Sequence, residues 1–129
     1  MARILIVDDE PDMVALLRLL LTERTGHEVD TAGNGNEARR MIEAGTYELV
    51  ISDMRMPDLE GLELMEISRE SDPRRPFIFI TGYGSIETAV ETVRKGAFDY
   101  ITKPFRKEQI LLAVDKALAW REARLQEAQ

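Results

Sequence analysis

Ile4-Leu5-Ile6-Val7-Asp8-Asp9-Glu10-Pro11 places four consecutive apolar residues, three of them β-branched, directly against three acids. A run this short, with no polar alternation, reads as a strand covered on both faces. Pro11 suits the first position of a helix, where its missing N–H costs nothing. Met13, Leu16, Leu17 and Leu20 then recur at helical spacing, and Gly26 ends the element. The same alternation of element types continues along the chain. His27–Ala32 reads as a second strand with Val29 inward, and Asn34 caps a helix carrying Ala38, Met41 and Ile42 that closes at Gly45. Leu49-Val50-Ile51 is a third strand, running out at Asp53. After the loop 54–60, Gly61 opens a helix with Leu62, Leu64, Met65 and Ile67. Pro76–Ile80 is a fourth strand ending at Thr81-Gly82, and Ser85 caps a helix over 85–95 with Ile86, Ala89, Val90 and Val93. Phe98–Thr102 is a fifth strand ending at Lys103-Pro104, and a last helix runs from about Lys107 past Trp120. Five strands alternating with five helices predict an α/β fold: a parallel sheet covered on both faces, doubly wound in three layers by right-handed crossovers.

Composition bounds the chemistry. The 129 residues suit a single domain, with 44% hydrophobic content and no cysteine. Disulfides, thiolate metal sites and thiol nucleophiles are thereby excluded. No apolar run reaches membrane-spanning length, since Arg18 interrupts Val14–Leu21, and the start is too short for a signal peptide. The chain is expected to be cytoplasmic. Seventeen basic against 24 acidic residues leave a net charge of −7, which argues against direct nucleic-acid contact by this domain.

In open α/β sheets ligands bind beyond the carboxyl ends of the strands. Those ends carry Asp8 and Asp9, Asp53, Thr81 and Lys103. Crowded carboxylates repel unless a cation intervenes, and oxygen-only donors favour a hard ion, Mg²⁺ or Mn²⁺. Protonated Lys103 cannot ligate a metal, so its expected task is to face a negative group beside the cation, with Thr81 donating a further hydrogen bond. A carboxylate nucleophile, a cation, a lysine and a hydroxyl together suit the holding of a transferred phosphoryl group.

Those residues sit in ordered blocks: Ile6-Val7-Asp8-Asp9, Asp53-Met54-Arg55-Met56-Pro57 followed by Gly61, Thr81-Gly82, and Lys103-Pro104-Phe105. In this the chain resembles the receiver domains of two-component response regulators over about residues 3–119. The resemblance implies the strand order 2-1-3-4-5, a receiver over residues 1–120 and a tail, 121–129, that leaves it as the start of a linker. It implies that Asp53 accepts a phosphoryl group from the phosphohistidine of a sensor histidine kinase. Asp8, Asp9, Asp53 and the backbone carbonyl of Arg55 would hold Mg²⁺, and Lys103 and Thr81 would contact the phosphoryl oxygens. Tyr100 takes the aromatic switch position and would turn inward as Thr81 moves, altering the face made by the fourth helix, fifth strand and fifth helix. The Lys103–Pro104 bond would be cis. Thr81-Gly82-Tyr83-Gly84 and Gly96-Ala97-Phe98-Asp99-Tyr100 are similar to receivers attached to sigma-54-dependent transcription activators. An output domain elsewhere and a homodimer formed on phosphorylation follow as expectations.

Blander readings exist for each residue taken singly. Asp8 and Asp9 would also serve as helix N-terminal acids, Thr81-Gly82 as turn chemistry, and Tyr100 as half-buried packing. His27, the sole histidine, falls at the amino end of the second strand and is expected at the surface, away from the carboxylates. Arg55 stands two residues beyond Asp53, where its side chain would either lean over the phosphoryl group or serve as an ordinary solvated arginine. A phosphohydrolase using an aspartyl phosphate would place a second Asp at that position, so a turnover enzyme is the lesser reading. A flavodoxin-like cofactor binder would need a phosphate-cradling loop where this chain has acids. A receiver-like module that binds partners without phosphorylation is the remaining alternative.

Overall fold

In the computed structural model, which describes residues 1–82 and 84–127, five strands and five helices alternate from β1 to α5. They are β1 (Arg3–Val7), α1 (Pro11–Thr25), β2 (Glu28–Ala32), α2 (Gly35–Ala44) and β3 (Leu49–Ser52), followed by α3 (Gly61–Ser71), β4 (Phe77–Thr81), α4 (Ile86–Arg94), β5 (Asp99–Thr102) and α5 (Lys107–Glu127). All pairings are parallel, in the order β2-β1-β3-β4-β5. The central strands divide their side chains between two cores, as the two-residue strand period requires. Ile4, Ile6, Leu49, Ile51, Ile78 and Ile80 face α1 and α5, where Leu17, Leu21, Ile110 and Val114 meet them. Leu5, Val7, Val50, Phe77 and Phe79 face the other way, against Ala38, Ile42, Leu64 and Met65 of α2 and α3. Each fully buried Ile, Leu or Phe contributes roughly 1.5–3 kcal/mol, so these strands dominate the fold's stability.

Helix ends follow local chemistry. The Asn34 side chain accepts from the Glu37 N–H at 2.8 Å, and Ser85 caps α4 through the Thr88 N–H at 3.0 Å. Gly26 closes α1 at φ 74°, a conformation that favours glycine. The edges differ slightly from the sequence reading. β2 begins at Glu28, because the half-buried His27 turns aside and accepts a hydrogen bond from the Ala2 N–H at 3.0 Å. Phe98 precedes β5 and packs on Trp120, ring centroids 6.0 Å apart.

α5 continues without a break to Glu127, tied to the rest of the domain through Arg121, while Arg124 makes its contacts within the helix. Arg121 donates to Asp72 at 2.9 Å, and the Arg124 guanidinium lies over the Trp120 ring. The helix α4 is the opposite case: among its residues only Thr92 is buried, while Ile86, Val90 and Val93 are exposed. Among the described residues no helix is long and apolar enough to cross a membrane. Tyr83 of the glycine-flanked motif, and Ala128 and Gln129 of the tail, lie outside the described residues.

Candidate functional site

β1 and β3, neighbours in the interior of the sheet, bring the acids together. Val7 ends β1 and Ser52 ends β3, and these two residues are register partners, so Asp8 and Asp53 emerge side by side. The Asp53 N–H donates to the Val7 carbonyl at 2.9 Å, and the Asp8 N–H to that of Ala32 at 3.2 Å, extending the ladder one step into the site. Both acids are buried, at 3% and 6% exposure. Lys103 enters from β5: its N–H donates to the Thr81 carbonyl at 2.8 Å, and the bond to Pro104 is cis. Its ammonium then reaches across to Asp8 at 3.1 Å, Asp53 at 3.4 Å and Glu10 at 3.0 Å. Thr81, the last residue of β4, is completely buried beside them.

Electrostatics follow from this crowding. Burial pushes the Asp8 carboxyl above its ordinary value, and the neighbouring Asp53 charge adds to the rise. The Glu10 N–H, which donates to Asp8 at 2.9 Å, and Lys103 oppose it. Lys103 is shifted upward: burial works against its charge, but hydrogen bonds to Glu10 and Asp8 and the charges of Asp53 and Asp8 outweigh that cost. Lys103 therefore stays protonated across the physiological range. Burial also raises the Tyr100 phenol, whose hydroxyl is already shielded and has no partner among the described residues.

The carboxylates that converge are Asp8, Glu10 and Asp53, each offering an oxygen within 4.8 Å of the others. Such an all-oxygen set, anionic and partly desolvated, fits a hard divalent cation by the chemistry of its donors. Asp9, expected in this set, stands elsewhere. It is exposed and lines, with Val14, Arg18 and Glu37, a groove between α1 and the end of β2. The turn from β1 into α1 explains the exchange: Asp8 points into the sheet end, Asp9 outward, and Glu10, at the N-cap of α1, back over Lys103. The Arg55 N–H donates to the Asp53 carboxylate at 3.3 Å, fixing the first turn of the loop that follows β3. A Cβ on Gly61 would lie 2.5 Å from the Asp53 carbonyl, so only glycine lets α3 start this close to the acid.

A model of the response regulator receiver domain matches residues 4–115. The transcriptional regulatory protein GlrR of Escherichia coli is 38% identical, over 95% of this chain and 29% of its own length. The response regulator protein PilR of Pseudomonas aeruginosa is 39% identical, over 96% of this chain and 28% of its own. Among solved structures, the beryllofluoride-activated NtrC4 receiver domain dimer matches with a TM-score of 0.87 at 36% identity, covering 94% of this chain and 99% of that one. The chain thus spans less than a third of the length of these curated relatives.

Proposed function

The chain belongs to the family of response regulator receiver domains, and from that premise we propose that it is a phosphorylation-controlled switch of a two-component system with Asp53 as acceptor. The observation that carries the reading is the single ammonium of Lys103, shared by Asp8 and Asp53 from two other strands at 3.1 and 3.4 Å. In the proposed transfer a carboxylate oxygen of Asp53 bonds to phosphorus as the P–N bond of a kinase phosphohistidine breaks. The imidazole leaves with the electron pair, and an acyl phosphate remains on Asp53. Lys103, already aimed at the acceptor, faces an incoming phosphoryl oxygen, and the Thr81 hydroxyl donates a second hydrogen bond. Asp8, Asp53 and the Arg55 carbonyl would hold Mg²⁺ or Mn²⁺, with the further carboxylate drawn from Glu10 or Asp9. Bound there, the cation supplies charge neutralisation for the transferred group. No substrate turnover is part of this reading.

Phosphorylation brings nearly two negative charges to a site whose ammonium is already engaged. Lys103 and Thr81 adjoin β5 and the start of α4, so their adjustment, with Tyr100, would reach the exposed Ile86, Val90 and Val93 of α4. We assign the output, control of transcription by a sigma-54-dependent class of activator, to the remainder of a longer cytoplasmic protein. The names and lengths of the matched regulators support this, and the NtrC4 receiver dimer supports self-association on activation.

The test is intact mass after incubation with acetyl phosphate and Mg²⁺. One added phosphoryl group is expected, absent from Asp53→Asn and from metal-free samples. No adduct on folded protein, together with no binding of beryllofluoride, would reduce the domain to an interaction module.

A further inference from the structure

The loop 53–60 carries the acceptor at one end and, on the proposed reading, a cation-ligating carbonyl at Arg55. Its far end is fastened to α2, a helix that contributes nothing to the site itself. The two carboxylate oxygens of Asp58 accept from consecutive amides at the start of that helix, Gly35 N–H at 3.0 Å and Asn36 N–H at 2.9 Å. These donors have no acceptor within their own element, as the first amides of a helix never do. The helix's own cap is already spent: Asn34 serves the Glu37 N–H, and the Glu37 carboxylate turns back to the Gly33 N–H at 2.8 Å. Asp58 thus completes the N-terminus of α2 from 22 residues away.

Packing reinforces the fastening. A Cβ on Gly35 would lie 2.5 Å from the Leu59 Cβ and 3.3 Å from the Asp58 carboxylate, so α2 rests directly on the loop. On the acceptor side the loop is closed by the Gly61 N–H donating to the Met54 carbonyl at 2.9 Å and by the Arg55 N–H on Asp53. Met56 is buried between these two fastenings. The Asn36 amide is the main reason the Asp58 carboxyl sits below its ordinary value; burial opposes, and the Gly35 amide adds to the lowering. It is charged wherever the domain works, and that charge lies at the positive end of the α2 dipole.

We propose that Asp58 is a positioning residue for the phosphoryl-accepting site, clamping the loop 53–60 to the start of α2 and so fixing where the Arg55 carbonyl stands. This rests on the reading of Asp53 and Arg55 given above. Partners one step removed from a metal's ligands typically set its affinity by tenfold or more, which sizes the effect.

The full chain and the variants Asp58→Ala, Asp58→Asn and Gly35→Ala are titrated with Mg²⁺ by calorimetry. Amide exchange at residues 35 and 36 and melting temperature are followed alongside. Asp58→Ala should bind Mg²⁺ about tenfold more weakly and exchange both amides faster. Asp58→Asn, whose amide oxygen still accepts, should fall between the two, and Gly35→Ala should weaken binding with Asp58 intact. A folded Asp58→Ala whose Mg²⁺ affinity stays within about twofold of wild type, whatever its melting temperature, overturns the proposal. Where that variant does not fold, Asp58→Asn and Gly35→Ala are judged by the same criterion. A wild-type chain that binds no Mg²⁺ and gains no phosphoryl group removes the proposed function itself. A competent wild type beside equally competent variants removes only the clamp.

Discussion

At the carboxyl ends of the strands Lys103 meets three carboxylates, whereas at the amino ends Asp72 lies between two guanidinium groups, and the two clusters are completed in different ways. Arg75, buried at the amino end, gives its Nε–H to the Tyr47 carbonyl at 2.8 Å and its Nη1 to Ser68 and Ser71 at 2.9 and 3.1 Å. Asp72 takes Arg121 at 2.9 Å and the Arg74 N–H at 3.0 Å. There protein groups supply most of the partners, although the buried Arg121 Nε is left without one among the described residues. At the other end acids outnumber the ammonium they share, so a cation or a phosphoryl group has something to add. Both clusters are polar and partly buried; among the described residues only the carboxyl-end one gathers three carboxylates within 4.8 Å of one another.

That contrast breaks first at Lys103. Lys103→Met should cut phosphoryl uptake from acetyl phosphate by on the order of 100-fold or more in a still-folded domain, as mass spectrometry reads it. Uptake at the wild-type rate would deny the lysine its assigned part. Next in size is Arg75→Met, which removes the donor to the Tyr47 carbonyl and to the Ser68 and Ser71 hydroxyls and should cost about 3 kcal/mol in urea unfolding. Its Mg²⁺ affinity should not change; a change would mean that the two ends communicate. Saturation with Mg²⁺ comes third. At ten times its dissociation constant the ion should stabilise the wild type and Arg75→Met alike by about 1.4 kcal/mol, and Asp8→Asn hardly at all. Equal stabilisation of Asp8→Asn would place the ion elsewhere.

The smallest effect separates the ends by pH. Burial tends to raise the Asp72 carboxyl, but the hydrogen bond from Arg121, the Arg74 N–H and the charges of Arg121 and Arg75 bring it below its ordinary 3.8. A carboxyl whose folded pKa is depressed contributes stability that is fully present above the unfolded value and lost as pH falls through the folded one. Asp72→Asn should therefore cost about 1 kcal/mol near neutrality, with the gap to wild type closing below pH 3.8. A gap that persists in strong acid would assign the loss to packing.

The sequence reading reaches the carboxyl-end cluster because each strand is an apolar run stopped by a polar residue, and parallel topology puts all such stops at one edge. Asp8, Asp53, Thr81 and Lys103 announce themselves this way. Glu10 does not. Three acids in a row give no sign of which faces inward, since that depends on how the chain turns from β1 into α1. Asp58 and Arg75 are hidden for another reason. Asp58 stands in a loop after a proline and Arg75 in Arg74-Arg75-Pro76, both ordinary surface compositions, while the amides on Asp58 lie 22 and 23 residues away and the Tyr47 carbonyl on Arg75 lies 28 away. Arg121 is hidden similarly: it opens a charged stretch after the last apolar stripe, and its partner Asp72 is 49 residues distant.

The docking of α5 has a mechanical consequence. From Lys107, near the carboxyl ends of the strands, to Trp120, where Phe98 and Asp72 hold the helix, is about 20 Å; from there to Glu127 is only about 10 Å. Over the first of these stretches Ile110, Ala113, Val114 and Ala117 are buried in the core, so the rod is clamped along most of its length and only its last turns overhang. α5 is thus a fixed beam. α4, with a single buried residue and no such clamp, is the element that a small push at Thr81 or Lys103 would displace at full stroke.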